Sequence, residues 1–232
     1  MGYPVPSIYD YKLIARIGSA PLTAAQMVEH LKLDPDLLGE PTFVAYMDAL
    51  IAAAINVGEK VSKRVFWQGN FKAYLDFFVT CAGYPRGLYR GLNIGQDQPY
   101  EIRRSPLVSI TSITRKVQDT PETIDAADYY FTPSETDFSY VAPSRGKSWP
   151  SDADDVLHAI EFDFVAGWTD ANLPADILEA LKLHVSAMFA NRGDCDGAWS
   201  GSAAAACIGC PLPPGAKLIY SQHRIFDLRQ GL

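Results

Sequence analysis

Apolar positions change their period along this chain, and each change marks an element. Leu22, Met27 and Leu31 fall on one helical face, and Thr23 with Gln26 three residues later has the form of a capping box. Leu22 and Met27 stand where a hydrophobic staple would close the entry, and Asp34-Pro35 predicts the end of this short helix. Pro41 suits the first turn of a second helix, where a missing N–H costs nothing. Phe43, Met47, Leu50, Ala54, Val57 and Val61 then recur at spacings of three and four, predicting a helix to about Lys63. Its Ala52, Ala53 and Ala54 would let a neighbouring helix approach closely.

From residue 71 the period drops to two. Phe71, Ala73, Leu75, Phe77 and Val79 alternate with Lys72, Tyr74, Asp76, Phe78 and Thr80, predicting a strand. Gly83, Pro85, Gly87 and Gly91 predict a loop. Tyr100 to Arg104, Val108 to Ile113, Tyr129 to Phe131 and Phe138 to Val141 read as further strands, with Asp119 to Asp125 as a polar turn. The clearest strand is Ala159 to Ala166, with Ile160, Phe162, Phe164 and Ala166 on one face and Glu161 and Asp163 on the other. One wet face implies antiparallel pairing. Helix resumes after Pro174 with Ile177, Leu178, Leu181, Val185, Met188 and Phe189, and Gly193 stands at its C-cap position.

The order predicts an α+β chain, mainly α: a small helical bundle with an inserted antiparallel β region and an extended C-terminal arm. The boundaries are an N-terminal extension at 1–21, the bundle at 22–195 with its β insertion at about 70–168, a Gly/Ala/Pro-rich linker at 196–216 and the arm at 217–232. The arm concentrates Leu218, Ile219, Tyr220, Ile225 and Phe226 around Arg224, the composition of a docking element.

Composition narrows the function. Hydrophobic residues make up 48% and charged residues 20%, as in an ordered globular chain, and the net charge is −7. That balance argues against a surface gripping the phosphate backbone, which needs clustered Lys and Arg. No run approaches the ~20 apolar residues of a membrane span, since Ala45 to Val57 is broken by Asp48 and Asn56. The first residues lack the pattern of a signal peptide, and Pro6 stands where a myristoylation motif needs Ser or Thr. A reducing cytoplasm is the expected site of folding.

Reactive chemistry is sparse. His30, His158, His184 and His223 show no metal-ligand spacing, and His184 reads as a partly buried structural histidine. No GxSxG, Walker A or GxGxxG is present. Asp152, Asp154 and Asp155 form an acidic turn without the glycine and terminal Glu of an EF-hand. Cys207 and Cys210 form a CxxC with Cys195 upstream, but no second pair or CxxH completes a zinc site. No catalytic, cofactor-binding or metal-binding residue is assigned, and no cofactor is expected.

Six phrases in order carry a resemblance: the capped helix at Leu22 to Gln26; the Ala-rich helix at Asp48 to Lys63; Pro106-Leu107-Val108-Ser109-Ile110-Thr111-Ser112-Ile113; Asp128-Tyr129-Tyr130 before Gly146-Lys147-Ser148-Trp149-Pro150; Val165-Ala166-Gly167-Trp168; and a helix from Leu173-Pro174 to Asn191-Arg192. In this series the chain resembles the head–tail connector (adaptor) family of tailed phages and gene-transfer-agent particles. It departs in its N-terminal extension, the aromatic stretch Phe71 to Tyr89, the linker, and residues 225–232. The resemblance implies a structural subunit and not an enzyme, in a ring of twelve copies at the virion neck, assembled in a bacterial cytoplasm. Its partners would be the portal protein and a head-closure, stopper or tail protein. DNA would pass through the ring without specific binding, and no membrane would be involved. Leu218, Ile219, Tyr220, Arg224, Ile225 and Phe226 would form the portal-docking set, and Trp149 and Trp168 would cover open sheet edges. An enzyme of unknown chemistry and a DNA-packaging accessory factor are the alternatives from other classes.

Overall fold

The computed structural model describes residues 10–76, 78, 99–133, 139–154, 156–191 and 212–225. The chain divides into two compact units, one of Met1–Ile17 with Gln68–Gly167 and one of Gly18–Trp67 with Trp168–Leu232. The first is built from strands and the second from helices.

In the β unit, β1 (Asp10–Arg16), β2 (Gly69–Leu75), β8 (Ile160–Ala166), β4 (Leu107–Val117) and β5 (Thr120–Thr123) form one antiparallel sheet in the order β1-β2-β8-β4-β5. A second, three-stranded sheet has the order β3-β7-β6, from β3 (Tyr100–Ile102), β6 (Tyr129–Thr132) and β7 (Ser139–Pro143). The expected alternation is realised in β8 and, in β2, as far as Leu75; Phe78, expected on the opposite face, is buried, and Phe77, Val79 and Thr80 lie outside the described residues. Phe71, Ala73 and Leu75 are buried with Ile160, Phe162, Phe164 and Ala166. The register sets Phe71 opposite Phe164, and their rings stack at 5.7 Å. On the other face Lys72 meets Glu161 at 2.7 Å and Asp163 at 3.6 Å. The sheets are joined by aromatic side chains: Tyr100 lies 6.1 Å from Phe162, and Trp149 stacks on Phe78 at 4.7 Å. Tyr11 of β1 adds a polar link, accepting the Arg103 N–H at 2.8 Å.

The helical unit holds α1 (Ala24–Leu31), α2 (Pro41–Ser62), α3 (Ala175–Ala190) and α4 (Pro214–Gln222). The capping box forms as expected, with the Thr23 hydroxyl accepting the Gln26 N–H and the Gln26 side chain accepting the Thr23 N–H. α2 ends at Lys63, which takes a left-handed conformation (φ 59°). Met27, Met47, Ile51, Ile55, Phe66, Ile177, Leu181, Val185 and Tyr220 form one buried core.

The expectation of a mainly α chain with an extended C-terminal arm is overturned. Four α-helices and eight strands are present among the described residues, and the strands form two sheets. Strand content was underestimated because β1 and β5 are edge strands, exposed along most or all of their length, so neither shows the alternation that a half-buried strand requires. The insertion is reciprocal, since the first two helices lie between β1 and β2. The segment expected to be an arm begins inside a helix, α4, whose Ala216 and Tyr220 are fully buried in the helical core. Trp149 fills the aromatic contact between the sheets, stacked on Phe78 and edge-on to Tyr100 of β3, and Trp168 lies 6.3 Å from Phe66 in the helical unit.

α2 and α4 approach closely because Gly58 has no side chain. A Cβ there would lie 2.5 Å from Phe66 Cε2 and 3.1 Å from Tyr220 Cζ. Replacing Gly58 with Ala is expected to destabilise the protein by about 1–3 kcal/mol, the usual cost of overpacking. Urea titration measures this, and an unchanged midpoint would show that α4 is free to move aside.

Candidate functional site

The residues predicted to dock on a partner divide by burial. Tyr220 is fully buried and Ile225 nearly so, while Ile219 is half-buried. Leu218 is 61% exposed and Arg224 is exposed, and Phe226 lies outside the described residues. The end of α4 is tied back by polar bonds as well. Arg64 Nε donates to the His223 carbonyl at 2.5 Å, the Ile225 N–H donates to the Ser62 carbonyl at 3.1 Å, and His223 Nε2 lies 2.6 Å from Asp176 of α3. The outer face of α4, where Leu218 lies, is exposed.

His184 and Tyr220 are two buried titratable groups facing each other in the helical core. His184 is 1% exposed, its ring lies 6.2 Å from that of Tyr220, and neither His184 Nδ1 nor the Tyr220 hydroxyl has a hydrogen-bond partner among the described residues. Burial lowers the pKa of His184 and raises that of Tyr220, so both stay neutral.

The acidic turn has a structural task. Both oxygens of Asp154 accept backbone N–H groups at the tip of the β4–β5 hairpin, from Gln118 at 2.9 Å and Asp119 at 2.8 Å. Gln118 and Asp119 both take positive φ (52° and 61°), which leaves these donors pointing out of the turn. Asp152 pairs with Arg115, which also meets Glu122 at 3.1 Å. Asp155 lies outside the described residues, as do Cys195, Cys207 and Cys210. Among the described residues no group of three or more His, Cys, Asp or Glu side chains could hold a metal ion.

A hollow of about 210 Å³ opens on the polar face of the larger sheet, lined by Ile14, Asn70, Lys72, Thr111 and Asp163 among others. Ile14 and Thr111 stand where the strand registers shift, so bulges in β1 and β4 shape its walls. Its charges are already spent on each other, since Lys72 and Asp163 pair and Asp163 also accepts the Ser112 hydroxyl at 3.2 Å.

Of Ala52, Ala53 and Ala54, expected to let a neighbouring helix approach, Ala54 is buried in the core and Ala52 lies on an exposed outer face of α2. By length and composition this helix could cross a membrane, yet only 28% of its apolar 18-residue window is buried. Met47, Ile51, Ala54, Ile55 and Gly58 are buried within the helical unit, while Ala45, Tyr46, Ala49, Ala52 and Val57 remain exposed. The signal for that face was present as alanines on the side away from the core, where charged residues are the norm.

No protein-family model and no curated protein matches the chain. Solved structures do. A chain from "Neck of empty GTA particle computed with C6 symmetry" matches at TM-score 0.68 and 17% identity, covering 96% of this chain and 99% of that one. A chain from "Virion of native gene transfer agent (GTA) particle" matches at TM-score 0.66 and 16% identity, covering 95% and 98%. A third, from "Neck of native GTA particle computed with C12 symmetry", gives 0.57 and 19%, covering 94% and 97%. The chain therefore shares its fold, almost end to end, with components of gene-transfer-agent particles, two of them from the neck.

Two measurements follow. His184 has a folded-state pKa below its unfolded value of about 6.5, so the unfolded chain binds the extra proton first. The contribution of neutral His184 is complete above pH ~6.5 and is lost as pH falls toward the folded pKa. Thermal melting from pH 7.5 to 5 should show this acid loss, and His184→Leu should flatten it; a variant with the same slope as the parent would refute the assignment. Replacing Asp154 with Ala should cost about 1 kcal/mol, because two exposed hydrogen bonds to the hairpin tip are exchanged for bonds to water. Calcium should not change the stability of the parent protein, and a calcium-dependent rise in melting temperature would return the turn to the metal-binding class.

Proposed function

We propose that this chain is a structural subunit of the neck of a phage-like particle, an adaptor repeated in a ring between the portal and a head-closure or tail protein. The observation that carries the reading is the fold likeness over 96% of this chain and 99% of a neck chain from a gene-transfer-agent particle. Coverage of that extent matches both units and their interleaved order, which a chance likeness of one small sheet or one helical bundle would not do.

Two physical features support the reading. The net charge of −7 suits a wall past which DNA slides, since like charges do not hold each other. A closed ring needs two different adhesive faces on each subunit, and α2 and α4 each carry an exposed apolar face. The docking role inferred for residues 217–232 narrows to one exposed face: Tyr220 and Ile225 hold α4 to its own unit, and Leu218 is left exposed on its outer side.

Quantitative mass spectrometry of purified particles tests the proposal. The chain should be present at the copy number of the portal protein, and electron microscopy of the neck should show it as a ring whose lumen is neutral or acidic. A chain absent from particles would overturn the reading, and a lumen lined mainly by Lys and Arg would overturn the sliding-wall argument.

A further inference from the structure

The helical unit carries two exposed apolar surfaces of different shape. The first is the outer face of α2, where Ala45, Ala49, Ala52 and Val57 are exposed. It is flat because alanines dominate it, and Asp48 is the sole charged residue between Pro41 and Gly58. The second is the seam between α3 and α4, where Leu183 is 43% and Leu218 is 61% exposed. The two leucines belong to one patch: Leu183 Cδ1 lies 3.6 Å from the point where Gly215 would carry a Cβ, and Leu218 stands one turn beyond Gly215. One surface is smooth and the other projects two large side chains.

Their placement matters as much as their shape. α2, α3 and α4 pack against one another in all three pairs, so the side of α2 facing away from α3 and α4 lies opposite the outer side of the α3–α4 seam. Their charges are complementary. Asp48 beside the flat surface and Lys217 next to Leu218 are both exposed, and neither has an ion-pair partner among the described residues. A membrane is a poor occupant for α2, whose other side is locked into the core through Met47, Ile51 and Ile55.

We infer that the outer face of α2 receives the Leu183–Leu218 patch of a second copy of this chain, with Asp48 of one copy facing Lys217 of the next. The contact is head-to-tail, using two different surfaces on opposite sides of one unit, and repeating it generates a ring or a helix and not a closed dimer. The inference rests on the ring reading above and goes beyond it by naming the two surfaces that meet. It also assigns Leu218 to a neighbouring copy in place of the portal.

A photo-crosslinking residue at the exposed position of Ala52 tests the contact. Full-length chain in a mixture of light and heavy isotopes is irradiated in concentrated solution and, separately, after incorporation into particles. Mixed-isotope links from position 52 to the Lys217–Gln222 segment are expected in at least one of the two. Links only to another region of a second copy, only to a different particle protein, or none between copies, would overturn the inference. Each such outcome leaves the neck location standing, because that is read from particle composition. A charge swap adds a second measure. Asp48→Lys and Lys217→Asp should each weaken self-association about tenfold and the double variant should restore it, with unchanged melting temperatures showing that all three fold. Additive losses in the double variant would count against the pairing.

Discussion

The chain passes between its two units at three points, near residues 17, 67 and 167, so neither unit can be completed from one continuous stretch. Everything else in the architecture has to satisfy that constraint. The β unit meets it by pairing β1 with β2, so that the Ile17 N–H reaches the Gln68 carbonyl at 2.8 Å across a helical excursion of the chain. The helical unit meets it through α4, whose Tyr220 enters a core built largely by α2 and α3. Loop-closure entropy grows only slowly with length, so long excursions are tolerated when their ends are held by several bonds. The ends here are held by a strand ladder in one unit and by a buried aromatic residue in the other.

The elements legible in the sequence were those with one face buried and one face wet. β8 shows perfect alternation because Ile160, Phe162, Phe164 and Ala166 all face the same core. α1 announced itself through Thr23 and Gln26, which cap it as their types and spacing require. The elements missed were exposed or short. β1 and β5 have little buried surface to impose a period, and the two apolar contacts of α4, Ala216 and Tyr220, are too few to define one. Its proline-rich start was read as the end of a linker, although Pro213 and Pro214 suit the N-cap and first turn of a helix.

The docking set was legible in composition but not in direction. Leu218, Ile219, Tyr220 and Ile225 are all apolar, and a list of apolar residues does not say which face inward. Gly58 decides it, because a glycine 162 positions earlier leaves the space that Tyr220 fills. Such a pairing of a missing side chain with a large one has no local sequence signature. The same limit hid the task of Asp154, whose oxygens serve donors about 35 residues away in a hairpin tip. Short polar segments acquire their roles from the backbone they reach, and that backbone is not their sequence neighbour.

The pairing of β1 with β2 also sets an order of events during synthesis. Asp10 of β1 finds its partner in Tyr74, and the chain between them must leave the ribosome first. At translation speeds of about 5–20 residues per second, β1 waits for several seconds as a strand without a template. Its short length and its bulge near Ile14 make it a poor template for other chains in that interval. α1 and α2 emerge within the same interval, and α4 comes only after α3, so the helical core is finished last. Translation pauses near residue 70 would lengthen the exposure of β1, whereas pauses after residue 190 would leave a finished sheet beside a helical core still lacking Tyr220.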